Sequence, residues 1–119
     1  MKPFISLMLD CIDPKAQAAF WTQALGYTVV EDGEPMVLGP GPDGVDGPVL
    51  LMQTVSDRKA AKNRMHMDVH TPDLEAEVTR MIGLGATRLE DQRESRGWCW
   101  VVMADPEGNE FCVCTPPAG

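Results

Sequence analysis

The chain's two histidines fall in one short stretch, RMHMDVH, where His66, Asp68 and His70 alternate with Met67 and Val69. In an extended segment that alternation puts all three on one side. An imidazole ordinarily titrates near about pH 6.5 and a neighbouring carboxylate can hold its tautomer, so His66 with Asp68 has the makings of an acid–base pair. His66 is therefore the best candidate for a catalytic residue and, with Asp68, for polar contact with a ligand. The structural alternative has His66 satisfying a local hydrogen bond and Asp68 paired to Arg64 or to backbone donors. His70, beside Thr71-Pro72, reads as a capping or surface residue.

Glu110, Cys112 and Cys114 alternate in the same way. Zinc accepts imidazole nitrogen and thiolate sulfur, but His66 and Cys112 alone leave a tetrahedral site short of ligands, and Cys114 lies about 6.6 Å further along a strand. Two buried thiols beside a histidine is the plainer account. Covalent catalysis through Cys112 would need a lowered thiol pKa, which apolar surroundings oppose. Glu110 is either an acid at a cleft or an exposed carboxylate at a strand start. Trp98 and Trp100 also sit two apart. On a cleft wall they would stack on a planar aromatic ligand and offer two N–H donors; Cys99, Val101 and Met103 are apolar enough that the strand could equally face the other way. Met8 and Met52 would suit ligands of varied shape, or fill a core. Trp21, following Phe20, reads as structural.

These residues need strands to present them. Residues 4–12 alternate with period two, Asp13-Pro14 starts a helix over 14–25, and Gly26 stops it. Short strands at 27–31 and 35–38, a Gly/Pro-rich loop at 39–48 and a strand at 49–54 complete a first half. A polar, helix-tolerant stretch at 55–63 leads to a strand at 64–70, a helix begun by Thr71 as cap with Pro72 and ending before Gly85, strands at 86–91 and 98–104 around a polar loop at 92–97, a turn at 105–109 and a last strand at 110–115.

The halves repeat. LGYTVVED at 25–32 and LGATRLED at 84–91 share Leu, Gly, Thr, Glu and Asp at an offset of 59, each after strand, proline and helix. The sequence thus predicts an α+β fold of two tandem βαβββ modules, 1–55 and 64–116, joined by a connector near 56–63. Each module's helix covers one sheet face only, so the two uncovered faces are expected to enclose a cleft. Its walls would be Ser6, Met8 and Asp10; Arg64, His66, Asp68 and His70; and Glu110, Cys112 and Cys114.

Composition sets the outer bounds. A 119-residue chain of 13.0 kDa with 44% hydrophobic residues fills one small domain or two fused half-modules. Its net charge of −8 disfavours nucleic acid and anionic membranes as partners. With no long apolar run and four cysteines in apolar strands, cytoplasmic residence and free thiols are expected. So small a core makes a homodimer plausible.

The run from Asp13 through Phe20-Trp21 to Leu25-Gly26-Tyr27, the stretch His66 to Asp73, and Asp105-Pro106-Glu107-Gly108-Asn109-Glu110-Phe111 resemble the vicinal-oxygen-chelate superfamily. This is the fold of glyoxalases, bleomycin resistance proteins and extradiol dioxygenases, and the likeness is greatest to its small glyoxalase-like domain proteins. The resemblance implies an eight-stranded incomplete barrel around a cleft, helices outside, and commonly a dimer. It also implies metal-ligand positions at Ser6 or Met8, at Met52 or Gln53, at His66 and at Cys112. Only His66 matches a family ligand, and a hydroxyl or thioether is a poor donor to a hard octahedral ion, so no metal or other cofactor is expected. The expected function is metal-independent binding or sequestration of a hydrophobic or aromatic small molecule, as in the family's drug-resistance branch. The contact residues would be His66, Asp68, Met8, Met52, Trp98, Trp100, Glu110 and Cys112. The alternatives are a lyase or isomerase using His66 as acid or base, and a structural or regulatory domain with a closed cleft.

Overall fold

Asp13 and Asp73 each turn a strand into a helix by the same device, Asp73 taking the capping place expected of Thr71, so that Pro72 precedes the helix. The side-chain oxygen accepts from the backbone N–H three residues on, Ala16 at 3.1 Å and Ala76 at 3.2 Å, which satisfies a donor that the first helical turn leaves free. The helices end on Gly26 (φ 72°) and Gly85 (φ 120°), a region of backbone space that a side chain disfavours. The LG pair of the repeat is therefore the shared helix stop.

The computed structural model describes residues 5–41 and 47–118. Its elements are β1 (Leu7–Cys11), α1 (Pro14–Leu25), β2 (Tyr27–Glu31), β3 (Met36–Pro40) and β4 (Leu50–Thr54), then β5 (Met67–His70), α2 (Leu74–Leu84), β6 (Thr87–Arg88), β7 (Arg93–Ser95), β8 (Trp98–Ala104) and β9 (Glu110–Thr115). The chain divides into two units between Arg58 and Lys59. The first unit's sheet has the order β1-β4-β3-β2 and the second's β5-β9-β8-β6, with β7 also paired to β8. In both, the first strand runs parallel to the last and the remaining pairs are antiparallel. The first unit is thus the βαβββ pattern of an α+β fold and the second the same pattern with β7 added, and neither sheet closes into a barrel among the described residues.

One face of each sheet is apolar and meets its helix. In the first unit Leu38, Leu50 and Met52 are buried with Phe20 and Trp21 of α1, whose rings meet edge to face at 4.9 Å. In the second unit Val101, Met103, Phe111 and Val113 are buried with Val78 and Met81 of α2.

Several expected boundaries move. The segment expected as a strand over 64–70 pairs only from Met67, so His66 immediately precedes β5, and the strand expected at 86–91 contracts to Thr87–Arg88. The stretch 92–97 is not a loop but an edge strand and a tight turn. β7 pairs with β8 from Arg93↔Trp100 to Ser95↔Trp98, and Arg96 (φ 54°) with Gly97 (φ 84°) supplies the paired positive dihedrals that fit the twist of a hairpin. This adds a ninth strand to the eight expected. Its polar sequence gave no strand signal because an exposed edge strand has no apolar face to fill. Gly39 and Pro40 close β3 rather than opening the 39–48 loop, residues 42–46 of which lie outside the described residues, and the 55–63 stretch forms no helix.

That stretch is pinned to β9 by a half-buried ion pair. Lys59 Nζ donates to Glu110 Oε1 at 2.8 Å and to the Ala61 carbonyl at 2.6 Å, while the Asn63 N–H donates to Glu110 Oε2 at 3.2 Å. Burial pushes the Glu110 carboxyl up, but the Lys59 bond, the backbone N–H groups and the Lys59 charge together outweigh it and hold it below the ordinary carboxylate range. At the other end of β9's leading turn, Asp105 is buried and its Oδ1 accepts from the N–H groups of Glu107 and Asn109, both at 2.9 Å.

Two outcomes follow. Asp105→Ala strands both turn donors and is expected to cost about 2 kcal/mol, lowering the melting temperature by roughly 10 °C, with Asp105→Asn costing less because one acceptor oxygen remains. For Glu110, a carboxyl held low when folded stabilises fully above its unfolded pKa and loses that contribution as the pH falls through its folded value. Glu110→Gln should therefore be less stable than the parent at pH 7, and the gap should close below about pH 4 in urea melts; a gap independent of pH would show that the charge is not what matters.

Candidate functional site

Strand register decides what gathers on the second unit's open face. Directly paired residues share a sheet face. β5 and β9 pair Asp68↔Cys112 and His70↔Cys114, and β8 meets β9 with Trp100↔Cys114 and Val102↔Cys112. The even-numbered residues of all three strands therefore point away from α2, and the odd-numbered Val101, Met103, Phe111 and Val113 point toward it. The facing of the tryptophan strand, which its own composition left open, is fixed in this way: Trp98 and Trp100 lie on the side of Asp68.

A pocket of about 330 Å³ opens on this face. His66, Asp68 and His70 line it from β5 and the residue before it, Trp98 and Trp100 from β8, and Cys112 and Cys114 from β9. His66 Nε2 lies 3.2 Å from Asp68 Oδ1, both side chains being about half exposed. His70 Nδ1 lies 3.6 Å from Cys114 Sγ, and its ring meets Trp98 edge-on with centroids 5.9 Å apart. Burial first, then the negative charges of Asp68, Cys114 and Glu90, push the Cys112 thiol up to about 11, with Lys62 opposing. Burial and Asp68 push Cys114 the same way. At neutral pH both sulfurs are protonated and neither is a ready nucleophile.

Of the residues singled out in sequence, His66, Asp68, Trp98, Trp100 and Cys112 come together here. Met52 does not belong with them: it is fully buried beside Leu50 under α1, because the pleat that exposes Gln53 turns Met52 inward. Glu110 shares the even parity, but its carboxylate is occupied by Lys59 and Asn63. Met8 is half exposed on β1 of the first unit. His70 is a wall of the pocket rather than a cap, and Cys114 stands beside it. The alternation that singled out His66 and Cys112 reaches both residues, and only the pairing of β5 with β9 joins them.

The two units, compared residue by residue, test the family's metal. Asp13 and Asp73 set an offset of 60, and β1 and β5 begin at Leu7 and Met67. Ser6, not Met8, therefore corresponds to His66, and Met8 to Asp68. The pairs Met8↔Leu51 and Asp68↔Cys112 make Leu51 the counterpart of Cys112, displacing both Met52 and Gln53 from that role. A hydroxyl, a thioether and a hydrocarbon do not fit a hard divalent ion. In the second unit one ligand atom each from His66, Asp68 and Cys112 lie within 4.8 Å of one another. That nitrogen, oxygen and protonated sulfur set is likewise not the oxygen-rich set such an ion takes.

A family profile described as a glyoxalase-like domain matches residues 6–114. Among curated proteins, none matches the chain. Solved structures with the same fold include a glyoxalase-related enzyme from Fulvimarina pelagi, 17% identical with a TM-score of 0.74 over 100% of this chain and 94% of that one. A glyoxalase/bleomycin resistance protein/dioxygenase family enzyme from Burkholderia phytofirmans PsJN is 18% identical with a TM-score of 0.72, covering 92% and 95%. The fosfomycin resistance protein FosX from Mesorhizobium loti is 11% identical with a TM-score of 0.74, covering 97% and 92%. With the family profile spanning nearly the whole chain and the βαβββ order present in both units, the protein belongs to the glyoxalase-like domain family of the vicinal-oxygen-chelate superfamily.

Proposed function

We propose that the protein binds a hydrophobic, aromatic small molecule in the second unit's pocket without a metal. Two indoles on the same sheet face as two imidazoles and a carboxylate carry this reading. Trp98 and Trp100 offer flat apolar surface for stacking, while His66, Asp68 and His70 meet polar groups at the ligand's edge. A pocket of about 330 Å³ takes a ligand of two or three fused rings. A resistance protein and enzymes both occur among the structures that share the fold, so sequestration and turnover are both compatible with the family. With a thiol pKa of about 11, roughly one Cys112 in ten thousand is ionised at pH 7, which argues for binding over covalent catalysis. The 3.2 Å approach of His66 to Asp68 supports a second reading, in which the pair moves a proton on the bound molecule. Four free cysteines suit a reducing compartment such as the cytoplasm, and no helix among the described residues is long and apolar enough to cross a membrane.

The three tryptophans allow a direct test, because Trp21 is fully buried whereas Trp98 and Trp100 line the pocket. Titration with 2-naphthylmethanol should move two of the three indole N–H resonances in an amide-type NMR spectrum and leave Trp21 in place. Trp98→Ala should weaken the affinity about tenfold, and excess EDTA should change it less than about twofold. Unmoved Trp98 and Trp100 resonances with this probe and with other fused-ring aromatics would defeat the proposal. Loss of binding in EDTA, restored by added metal, would defeat its metal-free form.

A further inference from the structure

Resting on that reading of the pocket, we infer its ligand class: a planar aromatic cation, such as a protonated arylalkylamine or an N-alkylated heteroaromatic, held between the indoles of Trp98 and Trp100 and the carboxylate of Asp68. Asp68 is the only carboxylate among the described lining residues, and none of them is lysine or arginine. Its side chain is about half exposed, with His66 on one oxygen, so the carboxylate remains accessible to a ligand.

Indole faces attract cations through their quadrupole, more strongly than the other aromatic side chains do. The surroundings add to the same sign. Arg93, directly across from Trp100, is paired with Glu90 and so brings no free positive charge. Asp68, paired directly with Cys112 across β5 and β9, is the largest charge acting on that thiol and places negative charge on the pocket floor. The thiols stay neutral there and present polarizable, uncharged surface. A net charge of −8 further raises the local concentration of cations around the chain. An anionic aromatic would meet Asp68 with no lining lysine or arginine to offset it.

Calorimetric titration of the full chain with 2-naphthylmethylammonium, 2-naphthylmethanol and 2-naphthoate separates charge from ring. The cation should bind at least tenfold more tightly than the alcohol, and the carboxylate more weakly than both. Asp68→Asn should bring the cation to within twofold of the alcohol, and Asp68→Glu should keep most of the preference. Melting curves identify any variant that fails to fold. Independently of variants, raising sodium chloride from 50 to 500 mM should cut the wild-type preference at least threefold. Equal binding of cation and alcohol, a preference for 2-naphthoate, or a preference untouched by salt or by Asp68→Asn would overturn the charge assignment while leaving aromatic binding intact. Failure of all three probes would overturn the binding reading itself.

Discussion

The burial of odd-numbered strand residues under α2 is the constraint from which the rest of the second unit follows. Val101, Met103, Phe111 and Val113 are withdrawn from water almost completely, and burying four such side chains is worth on the order of 6–12 kcal/mol before entropy is subtracted. A one-residue slip of β8 or β9 would expose that strand's share of the set and drive its tryptophans or cysteines against the helix, and the same slip of β5 would bury Asp68 and His70. The pocket's composition is thus enforced by packing on the opposite face. Polar and aromatic groups collect there because the register leaves them no other side.

The same topology in the first unit shows that the fold alone does not make the site. At corresponding places stand Ser6 for His66, Met8 for Asp68 and Leu51 for Cys112. The scaffold requirements are met in both: each helix has an aspartate cap, each ends on glycine, and each first strand lies parallel beside the last. The buried sets differ as well, Phe20 and Trp21 in one unit against Val78 and Met81 in the other, but both stay apolar, whereas on the open faces the residues change in chemical kind, which packing there does not prevent.

The scaffold was legible because it rests on local physics. Asp13-Pro14, Gly26 and Gly85 mark helix ends by capping and by positive φ, and strict alternation marks the first, middle and last strands. Strand extent was less so, since pairing depends on a distant partner: His66 lies just outside β5, and Arg93–Ser95 forms a strand only because β8 lies alongside it. The site was half legible. Parity put His66, Asp68 and Cys112 on one face, but the facing of Trp98 and Trp100 required the register with β9, and Met52 was misplaced because β4 is apolar at Leu50, Leu51 and Met52 alike. Glu110 had the right parity and the wrong neighbours, for nothing local to it announces Lys59, fifty-one residues earlier.

The hairpin that the sequence concealed also explains how an exposed aromatic wall can be ordered. Trp98 is 40% exposed, an arrangement that forgoes hydrophobic stabilisation and that a lone strand end would not hold. β6 pairs with β8 only at Met103–Ala104 and β9 reaches it only from Cys99 onward, so without β7 Trp98 would be unpaired on both sides and Cys99–Trp100 on one. β7 supplies the missing ladder over Trp98–Trp100, and the Arg96-Gly97 turn ties the two strands together. His70, edge-on to Trp98 from β5, braces the ring from the opposite wall. Side chains held in place before a ligand arrives lose less freedom on binding. The edge strand that lines no part of the pocket therefore acts on it indirectly, through the order it imposes on the two indoles.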